Sequence, residues 1–469
     1  MRNRSAWSLF VVFLLSFTVP AARARQSQDL DREFKAAVSE YEAGRYDGAA
    51  AKLEILLHDA PQSFDVQELA GLVYAAQSQD RKANIHLQRA VSLKPNSAPA
   101  RTNLGSNLAR LGKPELAEAQ FKKALALEPL NFDANHDLGE LYIQSGKIVQ
   151  AAPFLEKAQQ IQPSSYDNGY DLSLAYLQIG QIADARRVVH SLLKQKDAAE
   201  LHNLLGEIEE KDGQFVAAAN EFELAAHADP SESHLFDWGS ELLIHRTLGP
   251  AVEVFRQATA RYPNSQRLAI GLGMALYARG NYDDAITALL KAADLNPGDP
   301  RGYVFLSHAY ESSPSLAGEV LLRFRRFAEL QPTNALAQYY FAMSLWKGNR
   351  AQDSKVDLDE IEGLLRKSLA LDPQLADAHL QLGNLYFDQK KYPAAIPEFT
   401  RALALNNNLS EGHYRLGLAY VRTGEKERGQ AELALYQRLN EQHLSDLEKQ
   451  RAEIRQFVYS AKDSPAGKP

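Results

Sequence analysis

One block of residues recurs along this chain about every 34 residues. A small residue marks its centre, as in Gly71, Gly105 and Gly139, and apolar and alanine positions keep fixed offsets behind each centre. The series of centres is Gly71, Gly105, Gly139, Ser173, Gly206, Gly239, Gly273, Ser307, Ala342, Gly383 and Gly417. A fixed period between about 20 and 50 residues indicates a solenoid of stacked supersecondary units. A solenoid acts through a long surface, so this period also bears on function.

Within each block the residues predict a helical hairpin. Leu104 and Leu108 lie four residues apart, on one face of a first helix. Gly112 predicts the end of that helix, and Pro114 suits the first turn of the next one. Pro129 cannot continue the second helix and predicts its end. The repeated unit is therefore two antiparallel helices joined by a short turn.

The order of Leu-Gly, an aromatic residue, Ala, Phe, Ala and Pro resembles the tetratricopeptide repeat. A clear copy consists of Leu382, Gly383, Tyr386, Ala395, Phe399 and Ala402. The resemblance covers about residues 30–440 and implies an all-α, right-handed superhelical solenoid of about twelve helix-turn-helix repeats. The expected repeats start near residues 30, 64, 98, 132, 166, 199, 232, 266, 300, 335, 376 and 410. Departures from the pattern occur at Asp197, where proline is expected, and in a longer repeat that begins near residue 335.

The two ends of the chain differ from the repeats. Arg2 and Arg4, an apolar run over residues 6–19 and the Ala22-Arg23-Ala24 pattern are typical of a secretory signal peptide over residues 1–24. An uncleaved membrane anchor is the alternative, although the apolar run, as a helix, is shorter than the hydrocarbon core. After cleavage we expect no membrane span, and export to the periplasm or cell exterior of a bacterium.

The repeat array is expected over residues 25–440, followed by a helix over residues 441–462 and a disordered tail over residues 463–469. Leu444, Leu447, Ile454 and Phe457 give the C-terminal helix its apolar positions. Such a helix can cap the end of a solenoid. A dimerisation helix is the second interpretation, and the sequence leaves the oligomeric state open.

Charge and composition exclude several functions. Removal of residues 1–24 takes away three arginines and no acid, so the net charge changes from −7 to −10. Nucleic-acid binding is therefore not expected, because it usually requires a basic surface. The chain has no cysteine, so thiol chemistry and disulfides are impossible. We find no phosphate-binding loop, no metal-binding histidine motif and no catalytic serine motif, and we expect neither a cofactor nor enzymatic activity.

In the tetratricopeptide family the first helix of each repeat lines the concave face, which implies where a partner binds. The corresponding stripe is acidic in the N-terminal half, with Asp133, Glu140, Asp167, Glu200, Glu207 and Glu210. In the C-terminal half it is aromatic and apolar. The candidate peptide-binding residues there are Ile270, Met274, Tyr277, Val304, His308, Tyr339, Met343, Trp346, Leu380, Phe387 and Tyr414. Core packing between repeats is the alternative role for each of them.

The sequence therefore predicts a non-catalytic protein-interaction scaffold. Its partner would be a protein, bound through a peptide or helical segment in the aromatic groove. The alternative is a structural spacer in an envelope secretion or polysaccharide-export machine, bound through the convex face. The sequence does not identify the partner or the pathway.

Overall fold

The computed structural model describes residues 21–313, 315–351, 357–441 and 452–458. These residues form α-helices and connecting turns, and no strand occurs among them. The chain divides into two compact units, residues 1–197 and 198–469. Twelve consecutive helix pairs make up the described repeats, and each helix packs against the next along the chain within its unit. The protein is an all-α repeat solenoid, as the sequence predicts.

Unit 1 contains the first five helix pairs. Its helices are α1 (Ala21–Glu42), α2 (Tyr46–Asp59), α3 (Phe64–Ala76), α4 (Asp80–Leu93), α5 (Ala98–Arg110), α6 (Pro114–Leu127), α7 (Phe132–Gln144), α8 (Ile148–Ile161), α9 (Tyr166–Gln178) and α10 (Ile182–Leu193). Residues 1–20, most of the predicted signal peptide, lie outside the described residues, and its cleavage stays a prediction.

Unit 2 contains the other seven pairs and one further short helix. Its helices are α11 (Ala199–Lys211), α12 (Phe215–Ala228), α13 (Glu232–Ile244), α14 (Leu248–Arg261), α15 (Gln266–Arg279), α16 (Tyr282–Leu295), α17 (Arg301–Ser312), α18 (Ala317–Leu330), α19 (Ala335–Ala351), α20 (Leu358–Leu371), α21 (Ala376–Asp388), α22 (Tyr392–Leu405), α23 (Ser410–Thr423), α24 (Lys426–Glu441) and α25 (452–458). The predicted disordered tail, 463–469, lies outside the described residues.

Local sequence determines where the helices begin and end. The Ser97 hydroxyl accepts a hydrogen bond from the backbone N–H of Ala100 and so caps the start of α5. Gly112 follows α5 with a φ of 69°, a left-handed conformation that glycine adopts without steric cost. Pro114 then occupies the first position of α6. The turn residues predicted from the sequence thus act as expected in this repeat.

Glycines at the repeat centres let aromatic rings pack against helix backbones. The ring of Phe255 in α14 is fully buried between Gly239 of α13 and Gly271 of α15. A Cβ atom at Gly271 would lie 2.4 Å from Phe255 Cε1, and one at Gly239 would lie 2.9 Å from its Cζ. Any larger side chain at either glycine would therefore collide with this ring, because protein cores are close-packed.

A recurring hydrogen bond, which the repeat pattern does not predict, links each of several first helices to the turn before it. A side chain early in a first helix donates to the carbonyl oxygen six residues before it, in the preceding turn. Gln67 and Arg101 donate in this way to Pro61 and Pro95, at 2.9 and 2.8 Å. The same contact recurs at Asn135, Tyr303, His379 and His413. These contacts satisfy carbonyl groups in the turns that follow the second helices.

The predicted irregularities coincide with real changes in the fold. Helix α10 ends at Leu193 after 12 residues, and the division between the two units follows Asp197, where the proline is missing. In the ninth repeat, Leu316 precedes α18 with a φ of 53°, which is uncommon for a residue with a side chain. Helix α19 extends over 17 residues, into the insertion that the longer repeat predicts.

Candidate protein-binding groove

The first helices of the repeats in unit 2 lie side by side. Helix α13 contacts α15, α15 contacts α17, and α17 contacts α19. The residues of these helices that face one another belong to one hydrophobic cluster, which runs through unit 2. Neighbouring first helices therefore form a continuous layer on which a further segment can lie. We call the surface of α13, α15 and α17 the first-helix groove.

The short C-terminal helix α25 lies on the first-helix groove. Ile454, Phe457 and Val458 are buried and belong to the hydrophobic cluster of unit 2. Ala452 and Arg455 are exposed. The buried positions are i, i+3 and i+4, which fall on one face of a helix. Helix α25 is thus amphipathic and presents its apolar face to the repeats.

Phe457 is the central apolar contact of α25. Its ring meets the ring of Phe236 in α13 at a centroid distance of 6.2 Å and that of Phe305 in α17 at 6.1 Å. Both pairs are edge-to-face, with interplanar angles of 69° and 81°. Such aromatic pairs contribute about 0.5–1.5 kcal/mol each beyond the burial of apolar area. One side chain of α25 therefore joins two first helices that are not adjacent in the chain.

Charged side chains flank this apolar contact. Glu453 Oε2 lies 3.4 Å from His308 Nδ1, and both side chains are about one quarter exposed, at 23% and 25%. Burial lowers the pKa of His245, the residue that follows α13, Glu210 opposes this shift, and the nearby positive charge of Arg455 adds to it. Burial raises the pKa of Tyr277, and the charges of Tyr282 and Glu453 add to this shift. Glu453 and Arg455 therefore both lie within electrostatic reach of the groove.

The structure places the eleven predicted groove residues in three environments. Those that are buried in the hydrophobic cluster of unit 2 are Ile270, Met274, Tyr339, Met343, Trp346 and Leu380. Those that are partly buried are Tyr277, Val304, His308 and Phe387, and Tyr414 is exposed. His308 contacts α25 directly. The first six are thus core residues in this structure. Of the partly buried ones, Tyr277 lies within electrostatic reach of Glu453 in α25.

Two residues that contact α25 were missed by the sequence analysis. Phe236 stands at the position of the stripe that Val304 occupies two repeats later, so beginning the count one repeat earlier would have found it. Phe305 follows Val304 and lies outside the stripe, so no periodic signal distinguishes it from core. The contact of α25 with the groove had no sequence signal beyond its apolar spacing. The capping and dimerisation roles of residues 441–462 stay predictions, and residues 442–451 and 459–462 lie outside the described part.

Unit 1 carries a polar cluster on the acidic stripe. His136, Asp137 and Glu140 on α7 each offer a ligand atom, and these atoms lie within 4.8 Å of one another. His136 Nδ1 lies 3.1 Å from Asn168 Oδ1, and the Ser106 hydroxyl donates to Asp137. The sequence analysis named Glu140 alone from this cluster. Its geometry is compatible with a cation, and the hydrogen bonds within unit 1 account for its arrangement equally well.

Family models for the tetratricopeptide repeat match much of the chain. One matches residues 34–98, 102–166 and 238–300, a second matches 143–208, and a TPR repeat model matches 383–424. Together they cover more than half of the 469 residues. The chain belongs to the tetratricopeptide repeat family. This family provides protein-protein interaction scaffolds, and the tetratricopeptide array described above has the corresponding helix pairs.

Curated relatives match this tetratricopeptide protein only in part. The mouse protein O-mannosyl-transferase TMTC3 is 22% identical over 214 residues, which are 43% of this chain and 22% of the relative. Mouse superkiller complex protein 3 is 35% identical over 71 residues, which are 15% of this chain and 4% of the relative. The chain thus spans about a fifth or less of the length of these relatives.

Solved structures align with this chain at low sequence identity and with TM-scores under 0.5. The APC/C hetero-tetramer Cut9-Hcn1 is 14% identical, with coverage of 93% of this chain and 98% of that chain and a TM-score of 0.39. The type IV pilus biogenesis factor PilW is 24% identical, with coverage of 43% and 94% and a TM-score of 0.39. Among the residues that the structure describes, no helix has the length and apolar character needed to span a membrane.

Proposed function

We propose that this tetratricopeptide protein is an exported, non-catalytic scaffold that binds a helical segment of a partner protein. The binding surface is the first-helix groove of unit 2. The observation that carries the proposal is that this groove already buries the apolar face of a short helix, Ile454, Phe457 and Val458 of α25. Helix-in-groove recognition reads apolar residues at i, i+3 and i+4, which is the pattern in α25.

The chemistry of the groove supports a helical partner with aromatic anchors. Phe236 and Phe305 both make edge-to-face contacts with one aromatic side chain. His308 lies at the margin of the groove, where it contacts the carboxylate of Glu453. Aromatic residues in desolvated pockets contribute most of the affinity at protein interfaces, with charged groups at the rim fixing register.

The second candidate function is a structural spacer bound through the second helices. Large apolar side chains exposed on those helices favour it, among them Val216, Leu322 and Leu330. Contiguous exposed apolar surface marks interaction sites, whereas scattered single residues are normal on soluble proteins. The exposed residues of the second helices are distributed over several repeats, and the groove is therefore the better supported surface.

A photo-crosslinking residue at Tyr277, beside His308, tests the proposal in the source cells. We expect illumination to give a product heavier than the chain, because a partner helix in the groove would lie within reach. Leu322 on α18, 58% exposed, is the matched control position. A heavy product from Leu322 and none from Tyr277 would contradict the groove assignment and favour the spacer.

A further inference from the structure

We propose that α25 is an internal occupant of the first-helix groove, which the partner must displace in order to bind. This inference rests on the proposed function and adds regulation and a partner chemistry to it. The groove and the occupant are in the same chain: Phe457 of α25 packs on α13 and α17, and Ile454 and Val458 are buried in the same hydrophobic cluster. A surface for a partner helix is thus already covered by a helix.

The size of the contact makes α25 displaceable. Its apolar face consists of three buried side chains, whereas each repeat helix has 12 residues or more and packs against a neighbouring helix of its unit. A polar contact of α25, Glu453 with His308, is partly exposed and therefore weak. Elements with few buried contacts open at low free-energy cost.

The covalent link between α24 and α25 favours occupancy of the groove by α25 of the same molecule. Ten residues separate the end of α24 at Glu441 from Ala452. A short link of this kind gives the tethered segment an effective concentration in the millimolar range. With an intrinsic dissociation constant of about 10 μM for α25 itself, a free helix would bind the covered groove about 100-fold more weakly than the empty one.

The contacts of α25 define the chemistry of the partner. A competing helix needs an aromatic side chain at the position of Phe457, because Phe236 and Phe305 pair edge-to-face with a ring there. It needs apolar residues at the positions of Ile454 and Val458, and an acidic residue at the position of Glu453 opposite His308. The partner is therefore a protein with an amphipathic helix of the order acidic, apolar, two polar, aromatic, apolar.

The test uses the full chain and a fluorescent peptide with the sequence of residues 448–462. The release variant is Ile454→Ser with Phe457→Ser, which removes the apolar face of α25. The matched control is Arg455→Ser with Gln456→Ser, which changes exposed residues of the same turn. We expect fluorescence anisotropy to give about 100-fold tighter binding to the release variant than to the wild-type chain or the control.

Each other outcome has a defined meaning. Equal, tight binding to all three proteins would overturn self-occupancy and leave the proposed function standing. Absence of binding to a folded release variant would contradict the groove itself, and with it both proposals. Glu453→Lys provides a milder second variant, expected to tighten peptide binding several-fold, should the double variant lose its helical circular dichroism. A mass that rises with concentration, by light scattering, would assign α25 to a second copy and overturn occupancy within one chain.

Discussion

Replacement of Phe255 by alanine is expected to lower the free energy of unfolding of unit 2 by about 3–5 kcal/mol. The ring is fully buried and packs between the backbones of α13 and α15 at Gly239 and Gly271. Since glycine offers no side chain that could move into the space, the cavity left by the ring would stay open. Phe236, 6.2 Å away by ring centroids, would also lose an edge-to-face contact.

Urea unfolding followed by circular dichroism measures this effect, with Leu322→Ala as the control. Leu322 is 58% exposed, so its truncation is expected to change stability by about 0.5 kcal/mol or less. A loss of under about 1 kcal/mol for Phe255→Ala would mean that the repeats close around the missing ring. The close approach of helices at the glycine centres would then not depend on the aromatic residue between them.

The second large effect is a pH dependence of unit 1 that comes from Glu68. This residue lies on α3, is 6% exposed and accepts a hydrogen bond from Asn103 Nδ2 at 3.4 Å. Burial, with the charge of Asp65, raises the pKa of Glu68 to about 7, and Asn103 and Lys94 oppose this shift. The protonated form is therefore favoured in the folded state.

The direction of the pH dependence of stability follows from the raised pKa of Glu68. Below the unfolded-state pKa of about 4.5 the contribution of Glu68 to stability is fully present, and it is lost as the pH rises through about 7. At pH 8 the buried carboxylate costs up to about 3 kcal/mol. Glu68→Gln keeps the acceptor for Asn103 without the charge, so we expect it to stabilise unit 1 by about 2–3 kcal/mol at pH 8 and to have little effect at pH 4.5.

Urea midpoints at pH 4.5, 6 and 8 distinguish this effect from a general change in net charge. Glu54→Gln is the control, because Glu54 is an exposed acid of the same unit. We expect its midpoints to follow those of the wild-type chain at each pH. A Glu68→Gln variant with the wild-type pH profile would show that Glu68 is ionised in the folded protein at neutral pH.

The helix pairs could be predicted from sequence because one short-range pattern, repeated many times, determines them. Gly112 and Pro114 mark a turn by their own backbone preferences, and Phe121 and Gly105 mark a close helix pair by size. These are local physical constraints. Repetition strengthens the prediction of each helix pair, because a pattern that is unclear in one repeat is clear in the next.

The candidate site was only partly predictable. Counting positions identified His308, which contacts α25, but it also selected Ile270 and Met274, which are fully buried. The same helix face supplies both inter-repeat packing and the groove, so position alone does not separate them. Burial depends on neighbouring repeats and on α25, and neither has a periodic signal in the sequence.

The repeat-to-repeat hydrogen bonds were missed for a related reason. Gln67, Arg101, Tyr303 and His379 perform one role with four different side chains. Each reaches the carbonyl six residues before it, so the geometry is constant whereas the residue type is not. A search for recurring residue types cannot find such a position.

The most direct test of the central claim, that the first-helix groove holds a helical segment, is a site-specific crosslink. The chain has no cysteine, so a pair introduced by mutation reacts without competition. His308→Cys with Glu453→Cys replaces two side chains whose polar atoms are 3.4 Å apart, and a short bis-maleimide reagent would join them. The exposed Arg455→Cys, paired with His308→Cys, is the control. We predict efficient linkage within one chain for the first pair and little for the second; failure of the first pair to link, or linkage only between chains, would contradict the account.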